Sequence, residues 1–307
     1  MRAAWIAAAA GVVLLAVLLA RDPAAALAGW RAVFVALGAM PAGAVLLLLI
    51  ARLTGADWGA ALLPLAGAAW LLLPGFVPLV VQQALFVVPP PHLATWMAWP
   101  FFAGRGFIAI GLWWWLARRI ARGGVSLLGA GLALVAHGIV LTIVGLDWLL
   151  GTSPSQPESA AAMVMVTIEV LAAAGAACLL RLGPAETRRD LSYLLLAAAL
   201  GLAYLLFMDF LIVWYGNLPA RVGWYVVRET MLWAALPSLA LGLALALPIV
   251  CVGLIRGARA QAVAGGGALA GLLVGTVWIV GPPGGLALPA ALAGAAVLAP
   301  LVPGLVR

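Results

Sequence analysis

Apolar residues along the chain fall in runs of about twenty, separated by short stretches that hold most of the arginines, acids and prolines. Twenty residues at about 1.5 Å of helical rise each cross a hydrocarbon core. Backbone groups find no water there, so each run must close its own hydrogen bonds as a helix. The short alternating segments that a β-barrel needs are absent. About ten runs fit, at residues 3–20, 32–50, 60–81, 98–116, 125–146, 159–180, 191–213, 231–251, 265–280 and 286–305. The pattern therefore predicts an all-α polytopic membrane protein, with residues 1–307 forming one integral-membrane domain. The first run, behind Arg2, has the look of a signal peptide, but no A-x-A site precedes a mature domain and its length suits a signal anchor equally well. It is read as helix one.

Composition narrows the environment further. Hydrophobic residues make up 67% of the chain and charged ones 8%, with mean hydropathy +1.22. A soluble domain carries about a quarter charged residues. The net charge is +7, and every basic side chain is arginine. These arginines are scattered between apolar runs and form no stripe that a phosphate backbone could follow, which excludes a nucleic-acid partner. They act instead as topology signals. With ten spans, one side holds Arg2, Arg52, Arg118, Arg119, Arg122, Arg181, Arg188, Arg189, Arg256, Arg259 and Arg307. The other holds Arg21, Arg31, Arg221 and Arg228. The positive-inside rule then puts both termini in the cytoplasm of a bacterial inner membrane.

Metal chemistry has little to work with. Cys178 and Cys251 stand far apart without a CxxC motif, and His92 and His137 are the two histidines. No haem, iron–sulfur cluster or zinc bound by this chain alone is expected.

An ionisable group inside a span costs about 2.5–3.5 kcal/mol at the centre, so it is a functional suspect. Arg105, His137, Glu169 and Asp209 fall inside spans four to seven. His137 and Glu169 lie nearest mid-membrane on adjacent spans, where they can face each other. They form a candidate proton path with Asp209 as its outer outlet. The bland alternative is a packed structural pair hydrogen-bonded across helices. Arg105 calls for a buried carboxylate or backbone carbonyls, and Asp209, at a compatible depth, is the obvious candidate. That pairing would hold Asp209 ionised and weaken it as a relay.

Span seven ends in Trp214-Tyr215-Gly216-Asn217-Leu218-Pro219, followed by Trp224-Tyr225 and Arg228-Glu229. Gly216 and Pro219 stop the helix, and Asn217 can bond freed backbone groups. Trp96, Trp99, Trp148, Trp214 and Trp224 reach the outer surface, where an amphipathic ring is favoured. Such a cluster can cradle a quinone head group or dock a neighbouring subunit. Arg105, Asp147, Trp148, Trp214, Asn217, Pro219, Trp224, Tyr225 and Arg228 are the candidate contacts.

These residues also carry a family likeness. The run Phe207-x-Asp209-Phe210-Leu211-Ile212-x-Trp214-Tyr215-Gly216-Asn217-Leu218-Pro219, with Trp224-Tyr225-x-x-Arg228, resembles the ActF membrane subunit of alternative complex III. Phe101-Phe102-x-x-Arg105 and Leu146-Asp147-Trp148-Leu149-Leu150 resemble two more family segments in the same order. Asp190-Leu191 fits as well, and Trp278 with Pro282 matches loosely. Departures stand beside the matches. Asp209 replaces the family's Gln, Ala220-Arg221 replaces its Glu-Glu, and a usual His is missing between 152 and 158. Glu169 has no counterpart, and the chain is shorter than family members.

The resemblance implies NrfD-like helical bundles with ten spans. It implies a non-redox subunit of a quinol:electron-acceptor oxidoreductase in a respiratory chain, a scaffold with a proton path. Its partners would be lipid, an NrfD-like sister subunit, and iron–sulfur and haem c cytochrome subunits, with quinol as substrate. Two other readings remain open. The chain can itself be the quinol-binding subunit, with Asp209, Arg105 and the Trp214–Trp224 cluster around the head group. It can also be a proton-coupled secondary transporter using Glu169 and His137, although neither a broken helix nor an inverted repeat is evident in the sequence.

Overall fold

Every regular element among the described residues is helical. The computed structural model describes residues 2–151, 160–283 and 285–301. Residues 152–158 of the polar connection, Ser159 at the head of the sixth predicted span, residues 302–305 at the tail of the tenth and Arg307 lie outside the described residues. In chain order the helices are α1 (Arg2–Arg21), α2 (Pro23–Thr54), α3 (Asp57–Phe86), α4 (Trp99–Ala121), α5 (Leu127–Leu150) and α6 (Ala161–Leu179). They continue as α7 (Ala185–Tyr215), a short α8 (Pro219–Val226), α9 (Leu232–Ile255), α10 (Ala258–Val280) and α11 (Ala287–Leu301). Among the described residues, eight helices are long and apolar enough to cross a membrane: α1, α2, α3, α5, α6, α7, α9 and α10. The architecture is all-α and multi-pass.

The turn between α1 and α2 is far tighter than the hydropathy pattern predicts. Asp22 accepts a hydrogen bond from the Ala25 backbone N–H at 3.0 Å, and Pro23 occupies the first turn. An Asp cap followed by Pro is a strong helix start. α2 therefore begins nine residues before the predicted 32, by the difference 32 − 23. Arg31 is carried inside the helix rather than left in a loop. At the other end, Gly55 adopts φ 72°, a left-handed cap that glycine accepts without strain.

Other helices depart from regular α geometry. α3 carries 3-10 turns at Asp57–Leu62 and Ala68–Leu71. The turns keep the chain helical, so the third span is tightened rather than unwound. α5 ends in a π turn, Leu146–Leu150, and α9 has π stretches at Gly242–Ala246 and Ile249–Ile255.

α2, α6 and α10 form the centre. The membrane-spanning windows of these helices are 78%, 67% and 61% buried, against 17% for α1 and for α9. α2 packs on α6, α10, α11, α3 and α5, while α1 rests mainly on α11 and α2. Water does not drive helices together in lipid, so close packing of small residues must. Gly43 sits directly against the Glu169 carbonyl where α2 crosses α6, and Gly265 sits against Gly175 where α10 crosses α6. The Thr276 hydroxyl bonds back to the Leu272 carbonyl of its own helix at 2.8 Å and lies 3.2 Å from the Ala32 carbonyl, a polar contact between α10 and α2. Large apolar side chains such as Ile6, Leu85, Ile108, Leu128 and Leu254 face outward, as a bilayer requires.

A Cβ at position 43 would meet backbone, which cannot swing aside. Gly43→Val is expected to destabilise the purified protein by about 2 kcal/mol or more. Gly131→Ala, where nothing lies near, should leave stability close to wild type. Thermal unfolding followed by thiol labelling of the buried Cys178 and Cys251 measures both. Equal melting midpoints for the two variants would contradict this packing.

Candidate functional site

The N-terminal end of α4 and the π turn of α5 bring Arg105 and Asp147 together. Arg105 donates through Nε to Oδ2 at 2.7 Å and through Nη2 to Oδ1 at 2.8 Å, a two-pronged ion pair. The Trp96 indole donates to Oδ1 at 3.0 Å, and its ring lies 4.0 Å from the guanidinium. Arg105 also donates to the Trp96 carbonyl at 2.7 Å. Asp147 is 3% exposed, so the lipid-depth carboxylate is held by donors on two sides. The expected Arg105–Asp209 pair does not form. Depth matched those two residues, but α4 packs on α3 and α5, while Asp209 sits on α7.

Arg31 joins this cluster from α2. It is fully buried, donating through Nε to Gln82 Oε1 at 2.7 Å and through Nη1 to the Asp147 carbonyl at 3.2 Å. Its Nη2 has no partner. Two guanidiniums thus converge on Asp147, Arg105 at its carboxylate and Arg31 at its backbone carbonyl. Neither Arg31 nor Gln82 was flagged by the sequence, since the misplaced start of α2 left Arg31 in a loop.

Trp148 is equally displaced from its expected place. Rather than anchoring at the interface it is 4% exposed, with Phe34 edge-on at 5.0 Å and Trp113 at 5.9 Å. Phe76 stacks on Phe102 at 5.5 Å and touches Trp148, which completes an aromatic core. That core separates the Arg105–Asp147 pair from a second polar pair deeper in the bundle.

In the deeper pair, His137 of α5 lies 2.8 Å through Nε2 from Glu169 Oε2 on α6. The Trp113 indole of α4 donates to His137 Nδ1 at 3.0 Å. An indole nitrogen can only donate. Nδ1 is therefore the acceptor and the ring proton sits on Nε2, facing Glu169. All three side chains are 1% exposed, and Glu169 Oε1 has no partner. The sequence assigns Trp113 no chemical role; it reads there only as the first of three consecutive tryptophans that follow the Phe101–Arg105 segment in the family likeness. The arrangement can carry a proton at Glu169 Oε1. Passage through the imidazole requires Trp113 to release Nδ1.

Asp209 belongs to a different place, an apolar cleft of about 410 Å³ between α7, α9 and α10. One end of the cleft holds Asp209, Trp224, Tyr225 and Trp278. Trp224 and Trp278 meet edge to face at 4.9 Å, and neither indole nitrogen has a partner. Arg228 fastens this end. It stacks 3.8 Å from the Trp224 ring and donates to the carbonyls of Trp224 at 3.0 Å, Trp278 at 3.1 Å and Gly281 at 3.2 Å. Burial pulls the Arg228 guanidinium down to about 10. Trp214, Asn217 and Pro219 are exposed, with Asn217 at φ 43° making the turn and Pro219 opening α8. The predicted outer cluster therefore divides: Trp224, Tyr225 and Arg228 turn inward, and the rest shape the helix break. No protein-family model matches the chain, and neither does any curated protein.

The lock on His137 can be read directly. On a His92→Gln background, nitrogen-15 NMR of histidine-labelled protein in nanodiscs is expected to show one imidazole, protonated at Nε2. Trp113→Phe should allow both tautomers. A wild-type imidazole protonated at Nδ1 would contradict the geometry.

Proposed function

We propose that this chain is a membrane subunit of a quinol-oxidising respiratory complex of the alternative complex III type. In this reading it crosses a bacterial inner membrane about ten times, with α4 and α11 as additional spans and both termini in the cytoplasm. Its partners are an NrfD-like sister subunit and iron–sulfur and haem c subunits on the periplasmic side, and it carries no redox group itself. The observation that supports this most is spatial. Segments singled out separately for their likeness to ActF come together in pairs. Arg105 of one segment grips Asp147 of another, and Trp224 and Arg228 of a third hold Trp278 of a fourth. Residues 42 and 50 positions apart have no local reason to meet. Their pairing is what a common scaffold would require of those segments.

Within that scaffold, His137 and Glu169 are the proton-carrying candidates. Asp209, in the cleft between α7, α9 and α10, is the outlet candidate of that path, and neither His137 nor Glu169 lines the cleft.

Affinity purification of the tagged full chain in mild detergent tests the subunit assignment. It should bring down haem c absorbance, iron–sulfur EPR signals and quinol-oxidising activity. A stable species lacking all three would overturn it. In the assembled complex, Glu169→Gln should lower protons released per electron; an unchanged ratio would remove the proton path and leave the scaffold.

A further inference from the structure

A second cleft, of about 360 Å³, opens where α2 and α4 end and α3 and α5 begin. Arg52 is the one charged residue that lines it. Its side chain is exposed, and Nε donates at 3.3 Å to the carbonyl of Val125, another lining residue. That bond orients the guanidinium and leaves its two terminal nitrogens without a protein partner among the described residues. Gly55 and Gly123, in left-handed turns at φ 72° and 67°, have open space where a Cβ would stand.

Three more guanidiniums border the cleft. Arg118, Arg119 and Arg122 stand within two residues of its lining residues Ile120 and Gly123. Asp57, next to the lining residue Ala56, is the one carboxylate as close along the chain. Among the described residues, no ion pair joins any of the four arginines to an acid. The helix ends that stop here and those that start here carry opposite partial charges and largely cancel. Four guanidiniums against one carboxylate leave an excess of positive charge. At a membrane surface the anionic head groups supply the missing countercharge, at about 1 kcal/mol per arginine.

We propose that this cleft binds one acidic phospholipid, its phosphate on the free fork of Arg52 and the top of its acyl chain against Leu63 and Ile120. A guanidinium presents paired donors that match phosphate oxygens. A zwitterionic head group would leave the excess charge unmet, so the site selects an anionic one. Arg105 lies near the start of α4 and the cleft at its end, which separates this site from the Arg105–Asp147 pair. The proposal does not rest on the respiratory assignment.

The test titrates the purified full chain in detergent with phosphatidylglycerol or with phosphatidylcholine of matched acyl chains, each bound state being resolved by native mass spectrometry. The first phosphatidylglycerol should bind about tenfold tighter than phosphatidylcholine. Arg52→Gln should weaken it roughly fivefold, the loss of one surface arginine, and leave phosphatidylcholine as it was. Ala60→Trp fills the cleft without changing charge and should weaken phosphatidylglycerol at least as much. Arg259→Gln removes an exposed arginine that does not line the cleft and should leave binding at its wild-type value. Equal affinity for the two lipids, or equal losses in Arg52→Gln and Arg259→Gln, would overturn the proposal in favour of a diffuse basic surface. Displacement of phosphatidylglycerol by millimolar inorganic phosphate would mark a free-anion site and overturn it as well. No partner subunit enters the measurement, so its failure leaves the complex assignment untouched.

Discussion

A guanidinium or carboxylate in a bilayer must find its partner within the protein, because lipid provides none. The pairing of Arg105 with Asp147 meets that demand where the start of α4 meets the end of α5, and much of the bundle is arranged around it. Two parallel hydrogen bonds, the Trp96 indole and the Trp96 carbonyl account for the pair's polar contacts. Arg31 adds a second positive charge from the central helix, held by the neutral Gln82 and a helix-terminal carbonyl. Losing the Asp147 carboxylate would leave two guanidiniums uncompensated. The interaction therefore ties α2, α3, α4 and α5 into one unit.

The same requirement organises the rest of the interior. His137 and Glu169 bind α5 to α6, with Trp113 of α4 closing the set. Arg228 spends its donors on backbone carbonyls and so joins α8 to the end of α10. Between these polar fasteners, contact is made by small residues and aromatic rings. Gly43 lets α2 lie on the Glu169 backbone, so the position of that carboxylate is set by a glycine on another helix. Structure and candidate chemistry are coupled at that crossing. The apolar cleft lies between α7, α9 and α10, and neither polar pair lines it.

Hydropathy made the helical, multi-pass architecture legible, because period and length alone decide it. The approach of His137 to Glu169 was also readable, since a short connection forces adjacent spans side by side. Arg105 was correctly expected to hold a carboxylate, but depth could not choose between Asp209 and Asp147. That choice depends on which helix α4 faces, a property of tertiary packing. Asp147 and Trp148 looked interfacial because they end an apolar run, and the π turn that rotates them inward leaves no hydropathy signal. Arg31 was misplaced for a different reason: the Asp22-Pro23 start signal was present but outweighed by the first polar residue of the next run. The closeness of Trp278 to Trp224 had only a loose motif match behind it. Helix packing again supplied the rest.

A double-mutant cycle on Arg105→Gln and Asp147→Asn, with unfolding free energies measured in one detergent, tests the interaction on which this account stands. Each single change should cost about 3–5 kcal/mol, since it strands a buried charge. The double variant should lose well under the sum, with a coupling of about 2 kcal/mol or more. Additive losses would mean that the two side chains do not depend on one another. The joining of their segments, and the reading built on it, would then fail.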